Sequence, residues 1–99
     1  MDKRSKPEEN RRKPYIIACI PAYNEEKTIA KIIVKTRKYV DKVIVCDDGS
    51  TDMTAEIAGA LGAEVIRHER NMGYGAAIGS LFEKAREEDP DIMLSLIHI

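Results

Sequence analysis

VIVCDDGSTD, residues 43–52, sets four strand-forming residues directly against two carboxylates and then turns through Gly49-Ser50 toward a helix start. A short apolar run without polar alternation is expected of a strand buried on both faces, as in a parallel sheet that carries helices on its two sides. Adjacent acids repel and cannot sit unpaired in an apolar core, so the junction is expected to be solvated or to hold something. Ser50 or Thr51 is expected to cap the helix that follows. Asp52 in its first turn favours the positive end of the dipole, and Gly62 is placed to end it.

Working outward, the same grammar repeats. Tyr15 to Ile20 is an apolar run that Pro21 is expected to stop. From Glu25 to about Arg37, Ile29, Ile32 and Ile33 share one face while Lys27, Lys31, Lys35 and Lys38 point elsewhere, the pattern of an amphipathic helix. Glu64 to Arg67 reads as a third strand. A helix from about Tyr74 to Glu88, burying Ile78, Leu81, Phe82 and Ala85, ends before Pro90, and Ile92 to Leu96 reads as a fourth strand. Strands alternating with helices imply an α/β fold: a Rossmann-like, mostly parallel sheet of four strands with helices on both faces.

Ninety-nine residues make one small domain and exclude two. With 43% hydrophobic and 33% charged residues the chain is globular rather than disordered, and a net charge of -1 argues against a nucleic-acid partner. Residues 1–14 differ: six Lys/Arg face three Asp/Glu, and Met1 is the only apolar residue. This segment is expected to be a disordered basic tail, solvated or lying on an anionic membrane surface; residues 15–99 form the domain. It is not read as a signal peptide, because no apolar stretch follows its charges. No segment approaches the roughly 20 apolar residues of a membrane span. Cys19 and Cys46 fall within strands and are expected to be free, buried thiols in a cytoplasmic setting.

In parallel sheets ligands bind beyond the carboxyl ends of the strands. Three loops lie there: Pro21 to Glu26 (PAYNEE), Asp47 to Asp52, and His68 to Gly75 (HERNMGYG). Together they offer an aromatic ring, an amide, carboxylates able to accept from base N–H and ribose hydroxyls, and glycines that let backbone N–H groups approach phosphate, which suits a nucleoside phosphate. Each has a plainer use as well: Tyr23 can cover a helix end, Glu25 and Glu26 can complement a dipole, and Asp48-Gly49 can be an ordinary turn. The spacing Gly73-x-Gly75-x-x-x-Gly79 imitates a dinucleotide fingerprint, but it follows the third strand instead of the first, which argues against a nicotinamide or flavin site.

Three stretches in order, Ile20-Pro21-Ala22-Tyr23-Asn24-Glu25-Glu26, then residues 43–52, then Asn71-x-Gly73-x-Gly75-x-Ala77, resemble the N-terminal half of family 2 glycosyltransferases with the GT-A fold. The nearest likeness is to dolichyl-phosphate mannose or glucose synthases and their prokaryotic polyprenyl-phosphate relatives, over about residues 15–96. The resemblance implies that Pro21, Ala22, Tyr23 and Glu25 line the base and ribose of a nucleotide-sugar donor, that Asp48 contacts the base and Asp47 supports the same pocket, and that Arg70, Asn71 and Gly73 help close it. It implies transfer of a hexose from a GDP- or UDP-sugar to an acceptor, a polyprenyl or dolichyl phosphate at the cytoplasmic membrane face. Mg2+ or Mn2+ in the intact parent would offset diphosphate charge.

The chain departs from the family at its end, where Ile97 and Ile99 stand in place of an expected Asp-x-Asp metal motif and neither coordinates a hard cation. No metal ligand is therefore expected in this chain, and His98 is read as incidental. The expectation is a truncated donor half, itself not competent, with Leu96, Ile97 and Ile99 exposed and prone to self-association. Two alternatives stand beside it. A sugar nucleotidyltransferase is argued against by the lack of glycine or a basic residue in the first loop before Lys27; a noncatalytic nucleotide-binding or interaction module is the other.

Overall fold

A computed structural model describes residues 13–96. The order is β1 (Ile16–Ala22), α1 (Ile29–Thr36), β2 (Lys42–Asp48), α2 (Thr54–Ala60), β3 (Glu64–His68), α3 (Tyr74–Arg86) and β4 (Ile92–Ser95). All strands pair in parallel, in the order β3-β2-β1-β4. Strands β1 to β3 step to one side and β4 returns to the other flank of β1, so the direction reverses beside β1, the place where such sheets open a crevice.

Alternation along the two central strands divides the core in two. Ala18, Ile20, Val43 and Val45 pack with Ile29 and Ile33 of α1 and Ala58 of α2. Ile17, Cys19, Ile44 and Cys46 face the other way, onto Ala77, Leu81 and Ala85 of α3. Ile17, Ile20, Ile29, Ile33, Ile44 and Leu81 are fully buried, and each such side chain contributes about 1.5–3 kcal/mol by leaving water. The far end of the sheet is pinned by polar contacts: Tyr15 donates its hydroxyl to Glu88 at 2.8 Å, and Lys42 pairs with Glu64 at 2.7 Å and with Glu88.

Four local expectations change. Pro21 does not stop β1, which runs on to Ala22. Cys19 O accepts from Leu96 N, so the ring nitrogen of Pro21, two residues on, faces the same side but past Ser95, where β4 has ended and no ladder donor is needed. Strand β2 extends through both acids. Neither Ser50 nor Thr51 caps α2, whose cap position is Met53 without a side-chain bond; Asp52 instead accepts from Thr54 N at 3.0 Å. Leu96 is partly buried against the α1/α2 core rather than exposed, whereas Ile92, Met93 and Leu94 of β4 are about 40% exposed. Gly62 does end α2, at φ 92°. Apart from Lys13 and Pro14, the basic tail lies outside the described residues, as do Ile97, His98 and Ile99.

Candidate nucleotide site

The first two loops beyond the strands are joined by side chains that grip backbone. Asn24, Glu25 and Glu26 donate their N–H groups to Ser50 Oγ (2.8 Å), Thr54 Oγ1 (2.8 Å) and Asp52 Oδ2 (3.2 Å). In return Thr51 N and Met53 N donate to Asn24 Oδ1 and Glu26 Oε1, both at 2.9 Å. Asn24 takes a left-handed φ of 52°, which asparagine tolerates better than most residues. This reciprocal set satisfies N–H groups that no helix bond can reach ahead of α1, which starts at Ile29 after a turn closed by Thr28 N and Ile29 N on Glu25 O. Ser50, read from sequence as a helix cap, is one of the grips.

The acids at 47 and 48 are neither solvated nor in conflict. Asp47 is fully buried and Asp48 is 4% exposed. Alternation sends them to opposite faces of the sheet. Asp47 lies on the α2 side, where Oδ1 accepts from Ser50 N at 3.1 Å and Oδ2 has no hydrogen-bond partner among the described residues; Arg67 Nε stands 3.5 Å away. Asp48 lies on the α3 side. Its Oδ1 accepts from His68 Nδ1 (2.7 Å) and Met72 N (2.9 Å), and Oδ2 accepts from Gly73 N (2.9 Å). Burial alone would push this carboxyl up, but the bonds from His68 and the two backbone N–H groups outweigh it and hold it below its ordinary value.

Behind Asp48 runs a chain that sequence reasoning missed. His68 Nε2 meets Ser80 Oγ of α3 at 2.9 Å, and Cys46 Sγ lies 3.6 Å from the same nitrogen. An open cleft of about 560 Å3 borders His68, Arg70, Met72, Ala76 and Ser80. The signal was present: His68 closes β3 in register with Asp48, so a parallel reading of β2 and β3 puts the two on one face. Cys46 is no nucleophile, because burial first and the charges of Asp48 and Asp47 next push its thiol up to about 12.

The other expected site residues spread around this centre. Ala22 is buried, Pro21 and Glu25 are half-buried, and Tyr23 is 47% exposed at the rim. Glu25 Oε1 accepts from the Thr28 hydroxyl at 2.8 Å. Arg70 and Asn71 are exposed, and their backbone lies so close over Gly49 (φ 77°) that a Cβ there would come within 2.3 Å of Arg70 C. Gly73, at φ 100°, brings its N–H onto Asp48 before α3 begins. No group of three His, Cys, Asp or Glu side chains among the described residues could hold a metal ion, so these residues do not fit the expected cation. None of the described helices is long and apolar enough to cross a membrane.

The model of the glycosyl transferase family 2 domain matches residues 17–95, which take in every element above but the first residue of β1. The chain belongs to glycosyl transferase family 2. Among curated relatives it is 34% identical to the UDP-N-acetylglucosamine--dolichyl-phosphate N-acetylglucosaminyltransferase of Methanococcus voltae, over 81% of this chain and 39% of that protein. It is 43% identical to the dolichyl-phosphate hexose transferase of Haloferax volcanii, over 57% of this chain and 25% of that one. Among solved structures, glucosyl-3-phosphoglycerate synthase from Mycobacterium tuberculosis, in complex with Mn2+, UDP and glucosyl-3-phosphoglycerate, superimposes with a TM-score of 0.69 at 32% identity, covering 85% of this chain and 33% of that one. The same enzyme has been solved with Mg2+ and UDP. The family 2 chain thus has the Rossmann-like α/β sheet of GT-A glycosyltransferases and spans about a third of the length of such relatives.

Proposed function

We propose that this chain is the donor-nucleotide part of a glycosyltransferase that moves a hexose from a GDP- or UDP-sugar to a polyprenyl or dolichyl phosphate at the cytoplasmic face of a membrane. The observation that carries the reading is that the loops after β1, β2 and β3 are tied together around the buried carboxylates ending β2, next to the strand beside which the sheet reverses, within residues matched by the family model. Asp48 accepts from the base. Asp47, wholly buried on the other face of the strand, supports the pocket from behind, and Pro21, Ala22, Tyr23 and Glu25 form the wall beside base and ribose. Arg70, Asn71 and Gly73 close the third side. The dolichyl-phosphate relatives support the acceptor class, and the metal-bound solved neighbours support a divalent cation in the intact protein. Its ligands come from outside the described residues, and the chain alone is expected to bind nucleotide without transferring sugar.

Calorimetric titration of the 99-residue chain with UDP and GDP tests the reading. Asp48→Ala and the milder Asp48→Asn should each weaken binding by the worth of a charge-assisted hydrogen bond, roughly 1.5–3 kcal/mol. Asp52→Ala removes only a grip between loops and should weaken it far less. Equal small losses from all three would remove Asp48 from the base contact.

A further inference from the structure

The lone pairs of Asp48 decide which base it can read. A carboxylate offers about four acceptor positions, two on each oxygen. On Oδ1 both are taken, by His68 Nδ1 and Met72 N. On Oδ2 one is taken, by Gly73 N. An ionised Asp48 brings no proton to the imidazole, so Nδ1 carries the hydrogen, and the Ser80 hydroxyl at Nε2 fixes the ring's angle. One acceptor position remains, consistent with the 6% of the Asp48 side chain still accessible.

We propose that His68, set by Ser80, is a specificity-determining residue that leaves Asp48 a single free acceptor, so the site takes uracil or thymine and refuses guanine. Uracil and thymine present one imino N–H flanked by carbonyls, which one acceptor satisfies. Guanine presents an imino N–H and an amino N–H side by side, and a carboxylate pairs with both only when each oxygen is free. With Oδ1 filled, one guanine donor is buried unpaired. Cytosine sets its amino N–H beside a ring nitrogen lone pair, so one bond to the free acceptor comes with a lone-pair repulsion that uracil and thymine escape. The inference rests on the reading that Asp48 meets the base, and it narrows the donor to a pyrimidine-dione nucleoside diphosphate. His68 acts through Asp48, so it is a positioning residue.

The test titrates the full chain with UDP, dTDP and GDP. Wild type should bind UDP or dTDP at least about tenfold more tightly than GDP, the cost of one unpaired buried donor. His68→Leu frees a position on Oδ1, and the ratio should narrow to within about threefold as guanine finds two acceptors. His68→Asn, whose amide N–H can stand where Nδ1 stands, should restore discrimination. A merely structural role for His68 would weaken all three nucleotides alike and leave the ratio unmoved, which overturns the proposal. Wild-type GDP binding as tight as UDP also overturns it while leaving the glycosyltransferase reading intact. Failure of every nucleotide to bind overturns both. If His68→Leu misfolds, Ser80→Ala, which removes the hydroxyl that sets the ring, should narrow the same ratio, and an unmoved ratio overturns the proposal.

Discussion

Gly49→Ala should be among the most damaging single-methyl changes in the domain, and its cost can be separated into two parts. Gly49 sits at φ 77°, where an L side chain is strained by about 1–2 kcal/mol. The added Cβ would also lie 2.3 Å from Arg70 C and 2.4 Å from Asn71 N, backbone atoms that cannot rotate away, so the loop must shift at a further cost of about 1–3 kcal/mol. Gly62→Ala is the matched control. Its φ is 92°, yet its nearest neighbour is the Arg37 guanidinium at 3.3 Å, the end of a flexible side chain. Strain alone gives Gly62→Ala about 1–2 kcal/mol, against roughly 2–5 kcal/mol for Gly49→Ala. In urea unfolding followed by circular dichroism, with a slope of about 1 kcal/mol/M for so small a domain, the midpoints should fall by about 1–2 M for Gly62→Ala and about 2–5 M for Gly49→Ala. A loop that moves off Gly49 also carries Met72 N and Gly73 N away from Asp48, so any folded Gly49→Ala protein should bind nucleotide poorly. Equal midpoint shifts for the two variants would refute the close approach of loop 70–71.

Three further outcomes are expected. Leu81→Ala empties a fully buried position between α3 and the sheet and should cost about 2–5 kcal/mol in the same assay; less than about 1 kcal/mol would mean α3 does not pack as described. Cys46, with its thiol pushed up to about 12, should resist a thiol reagent at neutral pH in the native protein and react once urea is added; rapid native labelling would contradict its burial. Asp48, whose folded pKa lies below its unfolded value near 3.9, lends stability that is fully present above that value and lost as pH falls through the folded one. Melting temperature should therefore drop below about pH 4, and less steeply in Asp48→Asn, with an unchanged slope counting against the His68 and backbone bonds.

The order of elements along the chain, the parallel sheet and both helical layers were legible because the strands are buried apolar runs and the helices keep their period, a signal that survives without knowledge of neighbours. What sequence could not supply was which backbone groups the loop side chains would hold. Ser50 and Thr51 look like helix caps because a serine or threonine before a helix caps it when nothing else competes; here Asn24 N and Asn24 Oδ1 compete from 26 and 27 residues away. Pro21 looked like a stop because its missing donor matters only if a neighbour needs it, and β4's length is invisible at Pro21. Whether the acids are solvated or hold something stays open in the sequence because burial of a carboxylate depends on donors, and Met72 N and Gly73 N come from a loop 24 and 25 residues distant. His68 and Ser80 carried no local mark at all, only the parallel register.

That register makes two identical neighbours in sequence into near strangers in space. Asp47 answers to α2 and Arg67, Asp48 to α3 and the glycine loop, and the strand between them is the partition wall. A substitution at one acid should therefore disturb first the helix layer on its own side of the strand and leave the other layer's packing in place.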